Sequence, residues 1–132
     1  MILIDANIFL AFENKDDIFH KNAITLFQTI ETEEFGKYFT TDYIFNEVIG
    51  VINRKYGKER AVLFGSHILE TVYIHIIDEH LLEEAWKVFS TTTLRLSLVD
   101  CTNLVALKLA NTKYIATFDK EFLKVKGIII IS

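Results

Sequence analysis

Apolar positions along this chain fall into short continuous runs and longer stretches spaced three and four apart. Residues 2–4, Ile-Leu-Ile, are continuous and stop at Asp5. A run that short, without helical spacing, predicts a strand buried on both faces, as in the middle of a parallel sheet. Asn7 and a brief apolar stretch over residues 8–12 follow. Asp16 or Asp17 then stands where a helix cap belongs, ahead of Phe19, Ala23, Ile24, Phe27 and Ile30 at helical spacing, with Gly36 as the stop. Residues 37–40 read as a second strand. Thr41 and Asp42 open a helix in which Ile44, Phe45, Val48, Ile49 and Ile52 recur until Gly57, and a further helix spans about residues 58–70. Residues 72–77 are rich in β-branched side chains and predict a third strand. Asp78 caps a helix carrying Leu82, Ala85, Trp86 and Phe89, and Asp100 heads another through Leu104, Leu107 and Ala110. Residues 114–118 read as a fourth strand ending at Asp119, and residues 128–131, after Gly127, as a fifth.

Strands that alternate with helices predict an α/β fold, because parallel strands need crossover connections. An all-helical chain is the alternative for such short apolar runs, but the Ile-rich ends favour strands. The 132 residues suit one domain, 1–132, and the absence of proline, repeats and low-complexity segments leaves no linker at which to divide it. Half the residues are apolar and eleven are Phe, so a substantial core is expected. Cys101 is the single cysteine, which excludes an internal disulfide and suits a reducing compartment. With a strand at residue 1 and no apolar run long enough to span a bilayer, the expectation is a soluble, cytoplasmic protein with no membrane partner.

A formal charge of -4 argues against a general nucleic-acid coat. It does not argue against a nucleic-acid enzyme whose acids are clustered around a cation. Asp5 follows the first strand, Asp119 follows the fourth, and Asp100 opens the helix before that fourth strand, so parallel strands bring all three to one edge. That is the edge at which open α/β sheets bind ligands. Glu47 lies early in the helix after the second strand and, at about 100° per residue, flanks the apolar stripe, from which it can lean over the same edge. Four carboxylates together repel one another unless a positive charge sits among them, which predicts Mg²⁺ or Mn²⁺ on oxygen ligands. Such a site suits phosphodiester hydrolysis, with Asp100 or Glu47 accepting a proton from the attacking water. Taken singly, each acid has a plainer role: Asp is a favoured helix cap, and a lone helical Glu is usually solvated. Asp5, directly after a buried strand, is the hardest to dismiss.

At these positions and their flanks the sequence resembles the PIN-domain ribonucleases, in particular the VapC-type toxins of toxin-antitoxin pairs. The matching pieces are Ile4-Asp5-Ala6-Asn7, Thr41-Asp42-Tyr43-Ile44-Phe45-Asn46-Glu47-Val48, Ser97-Leu98-Val99-Asp100-Cys101 and Thr117-Phe118-Asp119-Lys120-Glu121-Phe122, in order over nearly the whole chain. The resemblance implies a three-layer α/β/α PIN-like fold with a central parallel sheet of about five strands, and a Mg²⁺- or Mn²⁺-dependent endoribonuclease. It assigns Asp5, Glu47, Asp100 and Asp119 as metal-binding and catalytic acids, and Asn7, Ser97 and Thr117 as polar support. Ala6 stands where relatives often carry Thr or Ser, so one hydroxyl is missing. An RNA substrate, a homodimer and a small antitoxin partner are further implications.

Arg54, Lys55, Lys58 and Arg60 form a basic segment that could track RNA phosphates, although basic residues at a helix C-terminus also complement its dipole. His20, His67, His75 and His80 lack the spacing of zinc ligands, and Cys101 has no histidine partner. Five scattered glycines form no phosphate loop. Dehalogenase-like phosphatases would need an Asp where Asn7 stands, and receiver domains an acidic pair at the first strand's end and an Asp after the third. The non-enzymatic alternative is a catalytically inactive PIN-like module that binds RNA or protein.

Overall fold

A computed structural model describes residues 1–132. Its centre is β1 (Ile2–Ile4), every residue of which is buried. β1 pairs in parallel with β2 (Tyr38–Thr41) on one side and β4 (Tyr114–Ala116) on the other. β3 (Tyr73–His75) and β5 (Ile129–Ile131) form the edges, giving an all-parallel sheet in the order β3-β2-β1-β4-β5. The chain therefore winds outward from β1 in one direction, returns, and winds outward in the other. The crevice between β1 and β4 is the point of reversal.

Helices cover both faces in a three-layer α/β/α arrangement. α1 (Ala6–Glu13) packs on α2 (His20–Glu31) and on α3 (Asp42–Tyr56), which in turn packs on α4 (Lys58–Thr71). α5 (Glu79–Thr91) packs on α6 (Leu98–Leu109), and α6 reaches β1. A short 3-10 turn, η1 (Lys120–Lys124), leads to β5 and buries Phe122. Phe9, Phe39 and Phe122 are among the largest fully buried side chains of a continuous core. No helix is long and apolar enough to cross a membrane.

Local chemistry explains most boundaries. Thr41 caps α3 by accepting from Ile44 N–H, and Asp78 caps α5 by accepting from Leu81 N–H. Between α3 and α4 the backbone turns at Gly57 with φ of 94°, a conformation that costs glycine least. Several expectations shift. The apolar run after Asp5 is a helix, α1, capped by Asp5 itself. α2 starts at His20 and has no side-chain cap; Asp17 instead accepts from Phe19 N–H to form the turn before it. α6 begins at Leu98, capped by Ser97, so Asp100 is its third residue rather than its head. The third strand is trimmed to residues 73–75 and the fourth to residues 114–116, because pairing with their neighbours ends there.

Candidate active site

β1 and β4 run in register, with Ile4 opposite Ala116, and Asp5 N–H extends the ladder by bonding Ala116 C=O at 3.0 Å. This sets Asp5 beside Thr117 at the carboxyl edge. Asp5 is only 6% exposed, and its two oxygens meet four donors. Oδ2 accepts from the Thr117 hydroxyl at 2.7 Å and from Asn7 Nδ2 at 3.2 Å. Oδ1 accepts from Ala6 N–H at 2.8 Å and has a long contact from Asn103 Nδ2 at 3.4 Å. Weak use of Oδ1 leaves it capacity for a further partner.

Thr117 is the hub of this network. While its hydroxyl donates to Asp5, it accepts from Asn7 Nδ2 at 2.9 Å and from Asp119 N–H at 3.1 Å, so its one donor and two acceptor positions are all used. Asn7 spends both amide hydrogens on Asp5 and Thr117, and its Oδ1 accepts from Phe118 N–H at 3.0 Å, which fixes which way its amide points. Polar support from Asn7 and Thr117 is thus physical contact with Asp5 and with the segment bearing Asp119.

The other acids arrive from separate elements. Asp100 and Ser97 form a reciprocal capping box: Asp100 N–H donates to Ser97 Oγ at 3.0 Å, and Ser97 N–H donates to Asp100 Oδ2 at 2.8 Å. Asp119 caps η1, accepting from Glu121 N–H through Oδ1 at 2.9 Å. Glu121 also accepts from Arg95 N–H at 2.9 Å, tying the lead-in of α6 to η1 and so Asp100 to Asp119. Glu47, on α3, makes no side-chain hydrogen bond. Asp100 Oδ1, Asp119 Oδ2 and both Glu47 oxygens are therefore uncommitted, and capping and ligation are compatible roles for the same carboxyl group.

Burial pushes the Asp5 carboxyl up to about 6; Thr117 and Ala6 N–H pull it down, and the charges of Asp100 and Glu47 push it up again. Glu47 is raised by burial and then by Asp100, and Asp100 by burial against its Ser97 bonds, with Asp119 adding repulsion. Asp5, Glu47 and Asp100 are thus within electrostatic reach of one another, and Asp119 acts on Asp100. They do not form a closed cage: no three His, Cys, Asp or Glu side chains converge tightly enough to enclose an ion. The donor set nonetheless fits a hard divalent cation, being all oxygen, mutually repelling and partly uncommitted.

Asn103 is a site residue that sequence reasoning missed. It is fully buried, its amide nitrogen faces Asp5, and its Oδ1 has no partner. The available signal was its position three residues after Asp100, which puts both on one helical face. The basic segment lies elsewhere. Arg54 and Lys55 close α3, roughly 10 Å along the axis from Glu47, and suit the dipole there. Arg60 binds Glu13 through Nε at 2.6 Å and lies 4.1 Å over the Tyr56 ring. Cys101 is buried, its thiol pushed up by that burial and then by Asp100, as an inert core residue would be. A separate aromatic cavity of about 160 Å³, lined by Phe9, Phe12, Phe27 and Phe64, contains none of the four acids.

Residues 2–128 match the protein family described as PIN domain. The chain belongs to the PIN-domain family. Its fold is shared with solved structures of low sequence identity. Over 96% of this chain and 95% of the other, the PIN domain is 21% identical to VapC20 of Mycobacterium tuberculosis, described as a sarcin-ricin loop cleaving toxin, with a TM-score of 0.84. A toxin-antitoxin complex from Klebsiella pneumoniae matches at 18% identity and TM-score 0.70, covering 100% of this chain and 97% of the other. VapBC2 from Rickettsia felis, bound to a DNA fragment from its promoter, matches at 15% identity and TM-score 0.71, covering 99% and 98%. No curated protein sequence matches the PIN domain significantly.

Proposed function

We propose that this PIN domain is a Mg²⁺- or Mn²⁺-dependent endoribonuclease and the toxin of a toxin-antitoxin pair. The observation that supports the proposal is a set of carboxylates within electrostatic reach of one another at the carboxyl edge of the sheet, three of them raised by burial and by a neighbouring acid. A fold without use for a cation gains nothing from holding such charges together. Asp5, Glu47, Asp100 and Asp119 are the proposed ligands, the last three with free oxygens and Asp5 through its less occupied Oδ1. A divalent cation at this site would acidify water and offset charge developing on the phosphate. Glu47 is the better proton acceptor, because it has no hydrogen bond to break and its raised pKa suits that task, whereas Asp100 is half committed to its capping box. Thr117, Asn7 and Asn103 hold Asp5 in place.

The toxin assignment draws on the descriptions of the structural neighbours as a toxin and as toxin-antitoxin complexes. Exposed apolar side chains, Leu63 and Leu69 on α4 and Trp86 and Leu109 on α5 and α6, provide surface for an antitoxin and for a second copy in a homodimer. The test is cleavage of total RNA by purified protein with Mn²⁺, with EDTA, and by an Asp100→Asn variant. Discrete products that need metal and vanish in the variant are expected. Folded protein, free of antitoxin, that cuts nothing would favour an inactive PIN-like binding module.

A further inference from the structure

Phe19 and Phe118 stack nearly parallel beside the acids, with ring centroids 4.5 Å apart and planes 14° from one another. Phe118 sits between the hub Thr117 and the acid Asp119, so the stack adjoins one proposed ligand by covalent connection. Phe19 is 41% exposed, and its neighbour Ile18 is 87% exposed, leaving apolar surface open at the rim of a highly charged site.

The pair is also held rigidly. Asn7 Oδ1 accepts from Phe118 N–H at 3.0 Å, Asp17 Oδ1 accepts from Phe19 N–H at 2.8 Å, and His20 Nδ1 is 2.8 Å from Ala11 C=O, pinning the α1–α2 turn to α1. Phe118 packs partly against the core, whereas Phe19, its backbone fixed at the turn, stays open to solvent and is thus surface, not core.

We propose that the Phe19–Phe118 pair is a stacking platform for a base of single-stranded RNA, next to the phosphate held at the acids. This rests on the nuclease proposal and adds how the strand is gripped. An overall charge of -4 works against a phosphate backbone, Arg60 is committed to Glu13, and Arg54 and Lys55 stand at the far end of α3. Lys120 beside Asp119 is exposed, but one lysine supplies little attraction for a backbone, and affinity is expected to draw also on contacts indifferent to charge. Stacking of bases on aromatic rings supplies it, with little dependence on sequence because every base has a π-face.

The test uses the full chain carrying Asp100→Asn, with Mg²⁺, so that no strand is cut. End-labelled oligoadenylate, oligouridylate and an abasic ribose-phosphate chain of equal length are titrated by fluorescence anisotropy. Adding Phe19→Ala is expected to weaken oligoadenylate binding roughly five- to a hundredfold and oligouridylate less, since purines stack better. Phe19→Trp should restore binding, the abasic chain should not distinguish the variants, and the salt slope should stay unchanged because phosphate contacts are intact. Thermal melts establish that both variants are folded. Unchanged oligoadenylate affinity in Phe19→Ala, or equal loss on the abasic chain, overturns the platform alone. Loss of antitoxin binding with RNA binding unchanged also overturns it, assigning the rings to the protein partner. If neither the Asp100→Asn chain nor the wild-type chain with Ca²⁺ in place of Mg²⁺ binds any RNA, the platform and the nuclease proposal are overturned together.

Discussion

Asp5 carries two demands at once, a buried carboxylate and a helix cap, and Thr117 is what reconciles them. Replacing Thr117 with Val keeps the shape but removes the donor to Asp5 Oδ2 and the acceptor for Asn7 and for Asp119 N–H. The expected cost is about 2–3 kcal/mol in urea unfolding, since buried partners are left unsatisfied. Burial also gives Asp5 a pH signature. Its carboxyl titrates at about 6 in the fold against an ordinary 3.8, and Glu47 and Asp100 shift in the same direction. A raised pKa means that the fold prefers the protonated acid. The stability these groups contribute is fully present below their unfolded values near 4 and is lost as pH rises through about 6. Glu84 and Glu121 are lowered, but their stabilising effect is lost only below their ordinary 4.5. In EDTA the melting temperature should therefore fall between about pH 4.5 and pH 6 and level off above that. Asp5→Asn should flatten that fall and melt higher than wild type at neutral pH. A wild-type melting temperature that climbs over the same interval would contradict the assignment.

Elements were legible where one face of the chain meets water. α3 and α5 alternate apolar and polar positions at helical spacing, and Thr41 and Asp78 cap them as their residue types suggest. α1 was not legible as a helix, because both sides of it are packed: Ile8, Phe9 and Ala11 are buried together, so its apolar residues run on without a period. The edge strands β3 and β5 look longer in sequence than in the sheet, since β-branched content reports propensity and not pairing. The capping box of α6 is the element-scale device that serves the site. Ser97→Ala should cost about 1 kcal/mol of stability and also free the Asp100 carboxyl from its fixed rotamer. Calorimetry should then show weaker Mn²⁺ binding than in wild type, and unchanged affinity would make the box purely structural.

Across the whole molecule, alternating strands and helices announce a parallel sheet, but strand order depends on pairings between residues far apart in sequence. Leu3 opposite Ile115 is such a pairing. That order places β1 beside β4 at the point of reversal and converts four acids scattered from residue 5 to residue 119 into neighbours. Their places at predicted strand ends and the family resemblance singled out the acids; Asn103, hidden in an apolar helix, needed the packing of α6 over β1 to become visible. This edge is proposed as a divalent-cation site made by these carboxylates. The most direct measurement is the Mn²⁺-induced change in melting temperature at about pH 7.5 and about pH 5, for wild type and Asp100→Asn. A clear rise for wild type at the higher pH is expected, diminished at the lower pH, where protons compete, and diminished in the variant. No rise at saturating Mn²⁺, or an equal rise in Asp100→Asn, would contradict the claim.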